Sequence, residues 1–379
     1  GMIQSPEIGW GPGNPNLAGL QFNPDYKAFI ANNPGLFPQT PGVLPSGASL
    51  AQVGKDFKFP QIWRSNLGID VELPWNMVFT GEAIFSKDIN AVTQINLNEA
   101  APTGKMAGAD SRDYWAVNKV NSSIGTAMEL SNTNKGYQLS LTGMLTKNFS
   151  RGFSGMFAYT YTIAKDVTAN PGSAAASAWV GNTAVGSLNN PGLSYSNFAT
   201  PHKLVGNVSY RIEYANNLAT TVSLVYQGYQ TGRWSYTYSN DLNGDGNTAD
   251  LMFVPESPRD LQFGEYKGMS PLSQMSAFWE YVNSNKYLRE HKGRYVERFG
   301  EIRPWIHRFD LKLLQDIFSD FGTSRRYTLQ FSLDILNFGN MLNDSWGTYI
   351  YNPYANYDNV RPLTVVTKGT STTAPVFRL

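Results

Sequence analysis

The chain has 379 residues, a formal net charge of +1, 16% charged residues and no cysteine. That length fits one large domain or two ordinary ones, and the charge fraction falls well below the ~25% usual in soluble domains. The near-neutral balance excludes a nucleic-acid surface or a solvating acidic tail. The missing cysteines exclude a disulfide scaffold, a thiolate metal site and a cysteine nucleophile, without fixing the compartment.

The opening segment, GMIQSPEIGWGPGNPN, has no basic region followed by an apolar run, so no signal peptide is expected in it. Nowhere do ~18 apolar residues run together, which excludes a transmembrane helix. A membrane barrel stays open, because its strands carry a much weaker signal per segment.

Period-two alternation then predicts strands at about 62–73, 77–98, 136–148, 152–165, 202–214, 218–231, 305–317 and 326–338. In the first, Trp63, Leu67, Ile69, Val71 and Leu73 oppose Arg64, Asn66, Asp70 and Glu72. In the fourth, Phe153, Phe157, Tyr159, Tyr161 and Ile163 oppose Ser154, Met156, Ala158, Thr160 and Thr162. Several strands reach about 11–14 residues, against roughly 5–6 in globular proteins and ~9–11 for tilted strands crossing a bilayer.

Short connections at Pro74-Trp75-Asn76, Ser150-Arg151, Ala215-Asn216-Asn217 and Phe318 to Arg325 alternate with long segments at about 99–135, 166–201, 232–304 and 339–379. Putting every long loop on one end is the habit of outer-membrane barrels, with short periplasmic turns and long extracellular loops. Trp75, Phe149, Phe153, Tyr214, Phe318 and Phe321 lie at the short turns, where a periplasmic aromatic girdle is expected; closing the end of a soluble core is the alternative. The long segments are rich in Gly, Asn and Pro, as in Gly11-Pro12-Gly13-Asn14-Pro15. One of them predicts a loop helix capped by Ser270, with Pro271 in its first turn. Its apolar stripe of Leu272, Met275, Phe278, Val282 and Leu288 is expected to pack on the loop bundle.

The most specific short motif runs from Asp241 to Asp250. Asp241, Asn243 and Asp245 stand at positions one, three and five, with Gly246 at six, as in the opening of a calcium loop. Met252 occupies the position where such a loop needs a bidentate Glu, and Asp250 is the substitute carboxylate. A turn in which the Asx side chains cap their own backbone is the other reading, and both stay open. Arg233, Trp234, Tyr236 and Tyr238 are candidate ligand-binding anchors above a strand, or else part of an external aromatic girdle.

His202 and His307 fall at strand starts, where a hydrogen-bonded girdle role is expected, and neither they nor His291 has the spacing of a metal pair. Gly152-Phe153-Ser154-Gly155 is one residue short of a nucleophile elbow. Asp70, Glu72, Glu82 and Asp334 read as solvated lumen residues rather than a catalytic pair. No enzyme is expected and no cofactor is required; calcium in the 241–250 loop is one of the two readings of that motif.

The run Arg308-Phe309-Asp310-Leu311-Lys312-Leu313, with Phe331-Ser332-Leu333-Asp334-Ile335-Leu336-Asn337-Phe338-Gly339-Asn340-Met341-Leu342-Asn343, resembles the last-but-one hairpin of TonB-dependent outer-membrane transporters. Phe59-Pro60-Gln61-Ile62-Trp63-Arg64-Ser65-Asn66-Leu67-Gly68, its partner Phe79-Thr80-Gly81-Glu82, and the Asp-Leu-Asn-Gly-Asp-Gly-Asn loop resemble the Oar-like branch of Bacteroidetes. The resemblance covers roughly residues 59–350. It implies a barrel of about 22 strands filled by an N-terminal plug, importing a scarce nutrient with energy from the inner membrane.

The departures are three. Neither a plug nor a TonB box is present, about nine to twelve strands are countable, and the chain ends at Pro375-Val376-Phe377-Arg378-Leu379 without a terminal aromatic. Residues 1–379 therefore read as the C-terminal part of a TonB-dependent receptor barrel: an all-β, antiparallel, up-and-down transmembrane fragment in the Gram-negative outer membrane. Implied partners are outer-membrane lipid, the TonB complex through the absent plug, a surface lipoprotein, and a small-molecule, peptide or glycan substrate. An Oar-like surface adhesion or assembly barrel and a soluble β-sandwich carbohydrate-binding module are the alternatives.

Overall fold

The computed structural model describes residues 2–3, 23–34, 47–319, 327–349, 355–356 and 358–379. Its principal strands are β1 (Ala48–Val53), β2 (Gln61–Leu73), β3 (Met77–Asn96), β4 (Ile124–Thr133), β5 (Tyr137–Ser150), β6 (Phe153–Asp166), β7 (His202–Tyr214), β8 (Leu218–Gln230), β9 (Arg233–Ser239), β10 (Trp305–Ser319), β11 (Tyr327–Ile335), β12 (Asn359–Thr367) and β13 (Val376–Arg378). The helices are α1 (Tyr26–Asn32), α2 (Ala175–Val180), α3 (Pro271–Ser284) and α4 (Lys286–Glu290). Among the described residues, no helix is long and apolar enough to cross a membrane.

Eight long strands form one antiparallel meander, β2-β3-β5-β6-β7-β8-β10-β11. The last predicted strand is shortened: a left-handed Asn337 and a 3-10 turn at Phe338–Met341 end the extended run after Ile335. The upper end of β3 pairs with β4, and β1 lies parallel to β4. Among the described residues, β2 and β11 each pair with a single strand, so the wall is an open sheet.

Three hairpin turns share one device. Trp75 and Asn76, Arg151 and Gly152, and Ala215 and Asn216 all have positive φ. Two successive left-handed residues give a reversal whose twist matches that of the flanking strands. Gly152 is needed twice over, since its φ is +81° and a Cβ there would lie 2.4 Å from the Arg211 carbonyl oxygen. The fourth turn, including Phe321, and the Gly11–Pro15 segment lie outside the described residues.

The two faces of the wall differ sharply. Phe79, Leu145, Phe157, Val208, Tyr210, Val222, Leu224, Leu329, Phe331 and Leu333 project from one face and are exposed. On the other face hydroxyls pair across strands: Ser140 with Thr162 at 3.0 Å, Thr142 with Thr160 at 3.0 Å, Ser209 with Ser223 at 2.7 Å. Arg211 also reaches Asp316 at 2.6 Å, and Lys312 reaches Asp334 at 3.2 Å, on that polar face. A soluble sandwich would bury the apolar face against a second sheet, and no such layer covers it among the described residues. Phe318 departs from the girdle expectation. Its position two residues from Asp316 puts it on the polar face, where the Arg211 guanidinium lies 5.6 Å from its ring.

The main hydrophobic core lies in the connections rather than in the wall. Tyr236, Tyr238, Leu242, Met252, Val254, Phe278, Val282, Leu288, Val360, Leu363 and Phe377 are buried together there. A second sheet supports them, in the order Gln262–Phe263, β13, β12, β9, Glu301–Ile302, with β9 and β12 parallel. The long loops are thus one folded cap at the end of the wall opposite the turns.

The expected helix α3 is present, with the Ser270 side chain accepting from Ser273 N and Pro271 in the first turn. Its buried face runs through Gln274, Phe278 and Val282, while Leu272 is 66% exposed. Gln274 displaces the expected apolar position because it joins two backbones. It donates to Gly264 O at 2.6 Å and accepts from Leu379 N at 3.1 Å.

Candidate functional site

The loop after β9 folds on its own side chains. Asp241 accepts from Gly244 N at 2.8 Å and Gly246 N at 3.2 Å, and Asp245 accepts from Asn247 N at 2.7 Å. Asp250 accepts from Leu242 N at 3.0 Å, closing the loop. Gly244 and Gly246 both have φ of +88°, and a Cβ on Gly244 would lie 2.3 Å from Trp115 O, so the loop is pressed onto residues 113–118. These bonds are the Asx turns of one sequence reading. They also turn the carboxylates of Asp241, Asp245 and Asp250 inward, until one oxygen from each lies within 4.8 Å of the others.

All three carboxylates are buried. Desolvation pushes the Asp245 carboxyl up to about 7 and drives that of Asp250 well above the ordinary carboxylate range. Asn243 is buried too, but its Nδ2 donates to Asp113 O at 3.1 Å and its Oδ1 accepts from Asp245 N at 3.3 Å. Three of the four expected ligand residues therefore converge as carboxylates, and Asn243 braces the loop. This arrangement is able to hold a hard divalent cation.

Sequence reasoning missed the neighbours. Arg112 forms a bidentate pair with Asp110 and places Nη1 3.6 Å from Asp250 Oδ1, between the rings of Tyr238 and Tyr295. Lys368 reaches Asp241 at 2.5 Å. These groups come from segments far away in the chain, and no local spacing pointed to them.

The candidate anchors on β9 turn inward. Tyr236 and Tyr238 are 1% and 0% exposed, so the cap core closes their rings to an external ligand. Tyr236 OH hydrogen-bonds Glu301, Trp234 Nε1 donates to Glu301 at 2.5 Å, and Arg233 donates to Gly300 O at 2.9 Å. The Arg233 guanidinium also stacks 3.9 Å from the Tyr195 ring. The reason is topological: β9 pairs with β12 on one side and with Glu301–Ile302 on the other, a central strand of the cap sheet.

The two strand-start histidines do join an aromatic belt at the cap end of the wall. Tyr159 OH lies 2.7 Å from His202 Nδ1, and Tyr226 OH lies 2.8 Å from His307 Nδ1. Trp305 bridges them, 5.9 Å from the His202 ring and 6.0 Å from that of His307. Near the same end an open, polar cavity of about 450 Å³ is lined by Asn90, Thr93, Asn132, Lys135 and Asn190 among others.

The sequence matches the family described as Outer membrane beta barrel domain over residues 12–356. Comparison with curated proteins returns no match. The crystal structure of the outer membrane transporter YddB from Escherichia coli is similar with a TM-score of 0.37 and 11% identity, covering 78% of this chain and 31% of YddB. The chain therefore spans less than a third of that transporter's length. With an apolar face turned out, a polar face lined by hydroxyls, short turns at one end and a loop cap at the other, the chain belongs to the outer membrane beta barrel domain family and resides in the outer membrane.

Proposed function

We propose that this chain forms part of the wall and the external cap of a TonB-dependent transporter, Oar-like in type, that takes up a scarce nutrient. The observation that carries this reading is the polar face. Its paired serines, threonines and ion pairs run from the turn end of the wall to the cap, and offer hydrogen bonds to a hydrated solute. The polar cavity near the cap supports it as a place of first contact. In this reading the wall residues make and break no bonds. A plug, a TonB contact and a companion surface lipoprotein complete the transport system in this reading. The substrate is a small molecule, peptide or glycan.

The test deletes the whole gene in its native host and compares growth on defined nutrients, with complementation and with the inner-membrane proton gradient collapsed. A nutrient-specific growth defect, restored by the gene and abolished as uptake by gradient collapse, is the expected result. Unchanged uptake of every nutrient with lost surface attachment would overturn the transport reading in favour of adhesion.

A further inference from the structure

The cap core holds more negative than positive charge around the 241–250 loop. Four carboxylates meet there: Asp110, Asp241, Asp245 and Asp250, each no more than 8% exposed. Among the described residues two cations face them. Arg112 is committed to Asp110 through a bidentate pair, and Lys368 reaches Asp241 from a half-exposed position. Among the described residues Asp245 has no ion pair, and Asp250 has only the edge of Arg112 at 3.6 Å, which is beyond hydrogen-bond reach. With all four carboxylates ionised, the shortfall is two positive charges.

Asp250 supplies the second observation. Its side chain is fully buried, and its Oδ1 has no hydrogen-bond partner. An ionised carboxylate oxygen without a hydrogen bond inside a core is strongly destabilising unless a cation or a proton meets it. The peptide group of Leu242 satisfies only Oδ2.

We propose that Asp241, Asp245 and Asp250 bind one divalent cation of the calcium type, and that this ion fastens the cap. The donor set selects the ion. Among the described residues no histidine joins the cluster and the chain has no cysteine, so the ligands are hard oxygens, which suit calcium or magnesium rather than zinc or copper. A loop whose carboxylates are already held by backbone N–H groups tolerates the irregular, many-oxygen shell of calcium better than the strict octahedron of magnesium. One divalent ion would supply the two missing charges. It would also couple three parts of the cap, because the loop closes β9, takes Trp115 N onto Asn243 O at 2.9 Å, and takes Gly369 N onto Leu242 O at 3.1 Å. In this arrangement the Lys368 ammonium competes with the ion for Asp241. The inference is independent of what the barrel transports.

The experiment uses the full-length protein, purified in detergent, stripped with a chelator and titrated calorimetrically with calcium chloride or magnesium chloride. Cleavage of the 232–304 segment by a protease is followed in parallel. Asp245→Asn is expected to bind one calcium fewer per chain than the wild type and to lose the calcium-dependent protection. Lys368→Met is expected to bind calcium several-fold more tightly, an opposite shift that a folding defect would not produce. Equal calcium stoichiometry in wild type and Asp245→Asn, or a Lys368→Met variant with unchanged or weaker binding, would overturn the assignment and leave a proton-balanced acidic turn.

Discussion

The Arg298 guanidinium places Nη2 2.8 Å from the Asp166 carboxylate, joining two residues 132 positions apart. Arg298 is 1% exposed and also donates to Val167 O at 2.6 Å and Asn182 Oδ1 at 2.7 Å. Asp166 is the last residue of β6, so this buried cation pins the cap to the rim of the wall. Arg298→Met is expected to cost the cap about 2–4 kcal/mol, between a charged hydrogen bond and a fully buried pair, since Asp166 keeps some solvent contact. Protease cleavage within 232–304 should accelerate more than about tenfold if the open form governs cutting. An unchanged rate would show that the latch is dispensable.

Phe377 is fully buried and stacks on Tyr238 with ring centroids 5.2 Å apart. Phe377→Ala removes a large side chain from the centre of the cap and is expected to destabilise it by about 3–5 kcal/mol. Thermal melting followed by near-ultraviolet dichroism measures this, and the strand signal of the wall should survive the loss of the aromatic signal.

Leu224 is midway along β8 and projects from the apolar face. Leu224→Arg is expected to cost about 2–4 kcal/mol by facing the bilayer interior. Thr142 lies on the polar face directly opposite Glu82. Thr142→Arg should therefore assemble normally, and heat-modifiable electrophoretic mobility of the two variants distinguishes them. Normal assembly of Leu224→Arg together with failure of Thr142→Arg would reverse the assignment of the two faces.

Gly152→Ala should impair the β5–β6 hairpin by about 1–2 kcal/mol from the left-handed backbone alone, with the 2.4 Å approach to Arg211 O adding to it. Arg151 also has positive φ, at 52°, so Arg151→Gly should be neutral or mildly stabilising. Refolding yield into detergent micelles reads both substitutions.

The wall was legible because each strand repeats one local rule. Asn207 to Tyr214 alternates strictly within the strand His202–Tyr214, and both ends of that strand match the reading from sequence. The cap was not legible as a folded unit, because its core joins residues with no common period. Tyr236 and Tyr238 looked like surface anchors since nothing nearby in sequence announces the pairing of β9 with β12 or the Tyr287 and Phe377 rings that stack on them. In the site the split is the same. Asp241, Asp245 and Asp250 carry their spacing within one loop, whereas Lys368 arrives from 127 residues away and Asp113, which braces Asn243, from 130.

The interlocked cap also determines how this surface would be recognised by an antibody. Residues within 113–118 and 368–370 each hydrogen-bond the 241–250 loop, so an antibody raised against the folded protein and binding the exposed points there, such as Val117, Gly246, Thr248 and Lys368, would read a composite epitope. A synthetic peptide copying any one of these segments would lack the other two, and antibodies raised against it would bind the folded cap poorly.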